Sequence, residues 1–130
     1  MKTEKLKEKY IRYELTKDDV FKHQHYIIIT RSGIEKIQAI ENITIWYEVV
    51  KCEPNFAGVK ATATKDGCTV ETFGSALKGE SYKDGNTNTW YVLEMAEKRA
   101  LSRAVLKMTG FYELGVFGED EAEDFKKNNN

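Results

Sequence analysis

The chain has 130 residues, a length that suits one domain with one core. Hydrophobic residues make up 41% and charged residues 32% of the sequence, which is typical of a globular protein and excludes a low-complexity chain. No apolar run approaches the roughly 20 residues that span a bilayer, and the first ten residues lack the apolar segment of a signal peptide. We therefore expect a cytoplasmic protein without a membrane partner.

The net charge of −1 conceals an uneven distribution of charge. Five acids are concentrated in GEDEAEDF, at 118–125, and without them the rest of the chain is net basic. Such a split suits an anionic partner for the body and a separate role for the tail. We predict a single domain over residues 1–117 and an acidic, disordered tail over residues 118–130, available to a protein partner.

The first third of the chain contains two helical patterns and one strand pattern. Residues 2–15 form a weak amphipathic helix whose charges suit a solvated face, and HYIIIT, at 25–30, has the length and composition of a strand. Ser32 followed by Glu35 matches a capping box and predicts a helix over 33–41. The buried side of this helix is expected to carry Ile34, Ile37 and Ile40.

A period of two begins at Ile43 and predicts strands. The first strand is broken at Pro54, and the pair Asp66-Gly67 predicts a two-residue hairpin turn between two further strands. With about ten residues in each arm, this hairpin would extend for about 33 Å.

The longest helix is predicted over 89–109. Asn88 or Thr89 can cap its start, and Gly110 is a common helix stop. Its broad apolar side carries Trp90, Leu93, Ala100, Leu101, Ala104, Val105 and Met108. The predicted fold class is therefore α+β, with a twisted antiparallel β-sheet and a long β-hairpin packed against a C-terminal α-helix.

Three cations recur at a spacing of four on this helix: Arg99, Arg103 and Lys107. Residues four apart on a helix lie about 6 Å apart on one side, so these cations form a ridge about 12 Å long. The spacing resembles that of phosphates along an extended nucleic-acid strand. The alternative is that the side chains extend into water or pair with acids elsewhere in the fold.

The hairpin offers a second set of phosphate contacts. Lys60, Thr62 and Thr64 share one face and Lys65 lies at the tip, and such side chains suit backbone contacts without base reading. Some aromatic rings near strand ends and before the basic helix could stack on bases, although core packing is the alternative role for each ring. These rings belong to Trp46, Phe73, Tyr82, Trp90 and Tyr91.

The stretch AEKRALSRAVLKMTGF, at 96–111, resembles the signature helix of the single-strand annealing proteins of phages and eukaryotes, the Rad-fifty-two-like, Erf and Red-beta group. YIIITRSGIEKI, at 26–37, resembles the segment that precedes their sheet. The resemblance implies a homo-oligomeric ring or filament that holds single-stranded DNA by its backbone between hairpin and helix, without consuming a nucleotide. By this resemblance Lys98, Arg99 and Arg103 would face the DNA, with Lys60 and Lys65 on the hairpin wall.

Two other classes of function stay open at this point. A non-enzymatic assembly module of a phage or mobile element could use Ala96, Ala100 and Ala104 for close contact between subunits. A small-ligand enzyme has less support, because the sequence has no P-loop and no histidine-activated nucleophile. His23 and His25 lack partners at the spacing of a metal site, so we expect neither an enzyme nor a cofactor. Cys52 and Cys68 are expected to pack as reduced thiols rather than to form a disulfide.

Overall fold

The computed structural model describes residues 2–79, 85, 87 and 91–121, the last of these by its backbone only. Within these residues three helices and six strands follow one another, with a short 3-10 turn on each side of the last strand. They are α1 (Lys2–Arg12), β1 (Val20–His23), β2 (Tyr26–Ile29), α2 (Arg31–Glu41), β3 (Thr44–Glu53), β4 (Phe56–Lys65), β5 (Cys68–Leu77), α3 (Val92–Met108) and β6 (Val116–Gly118), and the 3-10 turns are Tyr112–Leu114 and Glu119–Glu121. The predicted α+β class is confirmed.

The larger sheet is antiparallel and has the order β3-β4-β5. Asp66 and Gly67 join β4 to β5 with φ angles of 49° and 83°. A two-residue hairpin turn with both residues in the left-handed region matches the right-handed twist of the strands, so the predicted hairpin is confirmed. The smaller sheet has the order β1-β2-β6, with β2 and β6 parallel. Neither β1 nor β6 was predicted from the sequence.

Helix α3 packs on one face of β4 and β5. Alternate residues of β4 point toward it and are small, and the buried set is Ala57, Val59, Ala61 and Ala63. The contact is closest at Gly74 of β5, where a Cβ atom would lie 2.3 Å from the carbonyl oxygen of Ala96 and 2.5 Å from the amide nitrogen of Ala100. Ala96, Ala100 and Ala104 are fully buried inside the protein, so they are not open to subunit contacts as the assembly hypothesis requires.

The start of α2 differs from the prediction. The helix begins two residues earlier, and Thr30, not Ser32, accepts the capping hydrogen bond from the amide of Gly33. Ser32 instead donates to Asp19 over 2.6 Å, and Glu35 pairs with Arg31. The capping box is wrong because Asp19, from the segment before β1, competes for the Ser32 hydroxyl.

The predicted buried side of α2 is only partly correct. Ile34 and Ile37 are fully buried, whereas Ile40 is 43% exposed.

Both cysteines are unpaired and exposed, so the prediction that they pack as apolar groups is wrong. The predicted long helix exists over Val92–Met108 and is followed by Gly110 with a φ of 80°. The proposed caps Asn88 and Thr89, together with Trp90, lie outside the described residues.

The predicted start of the acidic tail is too early. Gly118 is buried in β6, the Glu119 carboxylate accepts a hydrogen bond from the amide of Arg31 over 2.6 Å, and Asp120 accepts one from the Ser102 hydroxyl over 2.9 Å. These contacts tie the first acids of the tail to α2 and α3. Residues 122–130 lie outside the described part of the chain.

Replacing Gly74 with alanine is expected to destabilise the fold by about 2–3 kcal/mol, because its methyl group would collide with the backbone of α3. Urea unfolding measures the change. Gly58→Ala is the matched control, since its Cβ atom would meet only the Phe56 ring, at 3.9 Å. Equal losses of stability in the two variants would contradict the close approach of α3 to β5.

Candidate nucleic-acid interface

Arg99 and Arg103 do not form an open ridge with Lys107. Arg99 is 1% exposed, and its Nη1 and Nε donate to the backbone carbonyls of Ser75 and Asp120 over 2.8 and 3.2 Å. Arg103 is half-buried, and its Nη1 donates to the carbonyl of Phe73 over 2.7 Å. Both arginines therefore bind the backbone of β5.

The spacing of four on α3 matches the spacing of two on β5. Residues four apart on a helix are about 6 Å apart along its axis, and residues two apart on a strand are about 6.6 Å apart. Arg99 and Arg103 thus address the carbonyls of Ser75 and Phe73 in register. The prediction that Arg99 lies on an open surface is wrong, because its side chain is buried against β5. The spacing misled because the carbonyls of a strand recur at nearly the interval expected of phosphates.

A pocket of about 280 Å³ opens where the hairpin tip meets the C-terminal end of α3. It also receives side chains from the ends of α1 and α2. Its lining residues are Lys9, Arg12, Tyr13, Glu41, Lys65, Met108 and Thr109. We call this site the basic pocket. Lys107, which is exposed, directly precedes the lining residue Met108 in the chain.

One buried carboxylate organises the basic pocket. Glu41 accepts hydrogen bonds from the Tyr13 hydroxyl and the Lys65 ammonium, and its Oε2 lies 3.0 Å from Nη2 of Arg12. Burial alone would raise the pKa of Glu41, but hydrogen bonds from Lys65, Tyr13 and Arg12 outweigh it and lower the pKa to about 2. Burial and the contact with Glu41 raise the pKa of Tyr13 to about 12. At neutral pH Glu41 is an anion and Tyr13 is neutral.

The basic pocket is left with excess positive charge. The ammonium groups of Lys9 and Lys65 and the guanidinium of Arg12 oppose the single carboxylate of Glu41. Lys9 is held in place by a hydrogen bond of 2.6 Å to the carbonyl of Thr109, just beyond α3. An anionic group that enters the pocket would therefore meet two uncompensated positive charges.

The predicted binding residues separate into different places. Lys65 lines the basic pocket and Lys107 directly precedes the lining residue Met108 in the chain, whereas Lys98 lies about 13 Å back along α3 and Lys60 about 16 Å back along β4. Lys60 also pairs with Glu71 over 2.5 Å. Lys9, Arg12 and Glu41 were not predicted as binding residues. For Lys9 and Arg12 the sequence signal was the amphipathic pattern of residues 2–15, whose charges also suit a solvated face.

The exposed face of the larger sheet, opposite α3, has a different character. Trp46 and Phe73 are 61% and 57% exposed there. The charged residues that share this face by register are Glu48, Lys51, Glu53, Lys60 and Glu71, which leaves an excess of acid. Phosphates are therefore disfavoured beside these two rings. Of the other predicted stacking rings, Tyr91 is 38% exposed, and Tyr82 and Trp90 lie outside the described residues.

Comparisons of the chain with protein-family models, with curated proteins and with solved structures find no match. Over the described ranges, no helix combines the length and the apolar character needed to cross a membrane. Among the same residues no three His, Cys, Asp or Glu side chains are grouped as a metal site would need.

Arg99→Met is expected to destabilise the protein by about 2–3 kcal/mol, because it removes the buried guanidinium that donates to the carbonyls of Ser75 and Asp120. Arg103→Met is the matched control on the same helix, one turn later and nearer to solvent, and should cost about 1 kcal/mol or less. Chemical unfolding of both variants measures the difference. A larger loss from Arg103→Met would contradict the buried role of Arg99.

The stability of the protein is expected to fall as the pH decreases from about 5 toward 2. The pKa of Glu41 is near 2 in the folded protein against 4.5 for the free group, so folding is favoured by ionised Glu41 above that range and loses this contribution on protonation. Glu41→Gln should flatten the acid limb of a plot of unfolding free energy against pH. Burial raises the pKa of Asp19, but hydrogen bonds from Lys36 and Ser32 outweigh it and lower the pKa, so the variant keeps a smaller pH dependence of stability from Asp19. Parallel curves for parent and variant would contradict the prediction.

Proposed function

We propose that the protein binds single-stranded DNA by its backbone and promotes ATP-independent annealing of complementary strands, as in phage-type recombination. The observation that carries this proposal is the basic pocket, in which cations from α1 and the hairpin surround the buried carboxylate of Glu41, the last residue of α2. Its position between hairpin and helix agrees with the groove that the resemblance of residues 96–111 implies.

The buried carboxylate supports a role in binding rather than mere charge balance. Glu41 holds Arg12 and Lys65 in place before any ligand arrives, so less side-chain entropy is lost when they bind a phosphate. The Arg12 side chain is still 61% exposed, and the Lys65 side chain is 29% exposed. Both can therefore reach an external anion while they stay bonded to Glu41.

Backbone contacts suit annealing because they leave the bases available for a second strand. Lysine and arginine contacts to phosphates fix the position of a nucleic acid without reading its sequence. We assign Lys9, Arg12, Lys65 and Lys107 to the phosphates, with Arg103 and Lys98 as further contacts along the strand. Lys60 is not assigned to them, because it lies on the acidic face opposite α3 and pairs with Glu71. Arg99 acts by holding α3 against β5.

The alternative, a non-enzymatic assembly module, has a different physical basis. The alanines of α3 do not support it, because they are buried against the sheet. The acidic and apolar surface around β3 favours an interface between proteins, and its charge is opposite to that of the basic pocket. The two functions are separable by experiment, because they use different residues.

Lys65→Gln and Lys107→Gln are each expected to weaken binding to oligo-dT about fivefold, because each removes about 1 kcal/mol of interaction with a phosphate. The slope of log affinity against log salt should decrease by about 0.7 for each phosphate that the variant leaves without a cation. Fluorescence anisotropy over a series of salt concentrations measures both quantities. Lys22→Gln removes the same charge from an exposed position on β1 and serves as the matched control. Equal effects of all three variants would mean that DNA is attracted non-specifically by the total positive charge and not bound at the pocket, which would contradict the proposal.

Annealing is tested apart from binding by mixing complementary oligonucleotides with the protein in the absence of ATP. Duplex formation should be faster than without protein, and the double variant of Lys65 and Lys107 should lose the acceleration together with binding. Binding without any acceleration by the parent protein would overturn the annealing step and leave a single-strand binding protein.

A further inference from the structure

Strand β3 is an open edge of the larger sheet. It pairs with β4 along its length, and no strand in the described part of the chain pairs with its other side. Trp46, Tyr47, Val49 and Val50 are between 41% and 61% exposed on it. An edge with unpaired backbone groups and large exposed apolar side chains is a template for a strand from another chain.

The opposite edge of the sheet is obstructed. Arg99 and Arg103 donate to the carbonyls of Ser75 and Phe73 on β5, and these carbonyls would otherwise accept hydrogen bonds from an added strand. Pairing of β3 with β5 of a neighbour, which would build a head-to-tail ring or filament, must break both hydrogen bonds. Among the described residues, the accessible edge of the larger sheet is therefore β3.

A β-bulge makes β3 self-complementary in charge. Val49 pairs with Val59 and Lys51 pairs with Gly58, so Val50 is the extra residue between them. Side chains alternate along a strand, and the extra residue therefore brings Lys51 onto the same face as Glu48. The ion pair of 3.3 Å between Lys51 and Glu53 agrees with this placement, because residues two apart share a face.

We propose that β3 pairs antiparallel with β3 of a second copy of this chain, around a two-fold axis at Val49. In this register Glu48 of each copy lies opposite Lys51 of the other, Tyr47 lies opposite Cys52, and the two Val49 residues face each other. Opposite charges at paired positions stabilise a sheet, and the two-fold repeat supplies the pair twice. An isologous contact of this kind closes as a dimer.

This proposal is independent of nucleic-acid binding, because the basic pocket contributes no residue to the interface. It extends the larger sheet from three strands to six across the two copies. It also brings the exposed side chain of Val49 against its counterpart on the axis.

A cysteine at the two-fold axis tests the register directly. Directly opposite residues of antiparallel strands have Cα atoms about 4.5–5.5 Å apart, within the range of about 4.4–6.8 Å that a disulfide spans. Val49→Cys, with Cys52 and Cys68 replaced by serine, should give a disulfide-linked dimer on mild oxidation without DNA. The control is Cys52→Ser alone, which keeps the exposed Cys68 at the start of β5 and should stay uncrosslinked.

Charge reversal tests the same register by mass. Sedimentation equilibrium of the parent should give twice the chain mass of 15.0 kDa. Glu48→Lys and Lys51→Glu should each weaken the dimer by about tenfold or more, because like charges then lie opposite each other. The double variant restores opposite charges at both positions and should recover most of the affinity.

Three outcomes would overturn the proposal. A monomeric parent at every concentration tested would mean that the bulge and Lys51 protect the edge from pairing. Assemblies larger than a dimer without crosslinking of Val49→Cys would indicate head-to-tail growth. Single reversals with no effect on dimer affinity would place the interface elsewhere.

Discussion

The close contact between α3 and β5 determines where the basic pocket of this protein lies. Gly74 allows the two backbones to approach, and the Thr72 hydroxyl donates to the carbonyl of Ala100 over 2.7 Å. Arg99 adds a buried bridge to Ser75. Because α3 is fixed on the sheet in this way, its C-terminal end lies next to the hairpin tip, and the basic pocket forms between them.

The surface is divided into two regions of different chemistry. Near the hairpin tip, one buried carboxylate orients the cations of Arg12 and Lys65 and leaves positive charge in excess. Along β3, large exposed apolar side chains are accompanied by two acids and one lysine. The first region suits a polyanion and the second suits another protein surface. Since the two regions share no residue, a dimer through β3 would carry two basic pockets that stay accessible.

Local elements were predictable where a residue type has a strong conformational preference. Asp66 and Gly67 have the positive φ angles that their turn requires, and Gly110 ends α3 for the same reason. The short strands β1 and β6 were not predictable, because four and three residues give too little periodicity. The capping box at Ser32 failed because a distant acid, Asp19, binds the same hydroxyl. Of the cations that line the basic pocket, Lys65 was predicted, whereas Lys9 and Arg12 depend on how α1 packs.

The sequence by itself determined the fold class, the hairpin and the spacing of Arg99, Arg103 and Lys107. Only the tertiary structure decided what that spacing addresses, because strand carbonyls and nucleic-acid phosphates recur at similar intervals and a helix fits either. In the folded protein β5 packs against both arginines and removes Arg99 from solvent, so the helix addresses the strand carbonyls. The basic pocket likewise joins residues a hundred positions apart, such as Lys9 and Thr109, and local periodicity carries no information about such a contact.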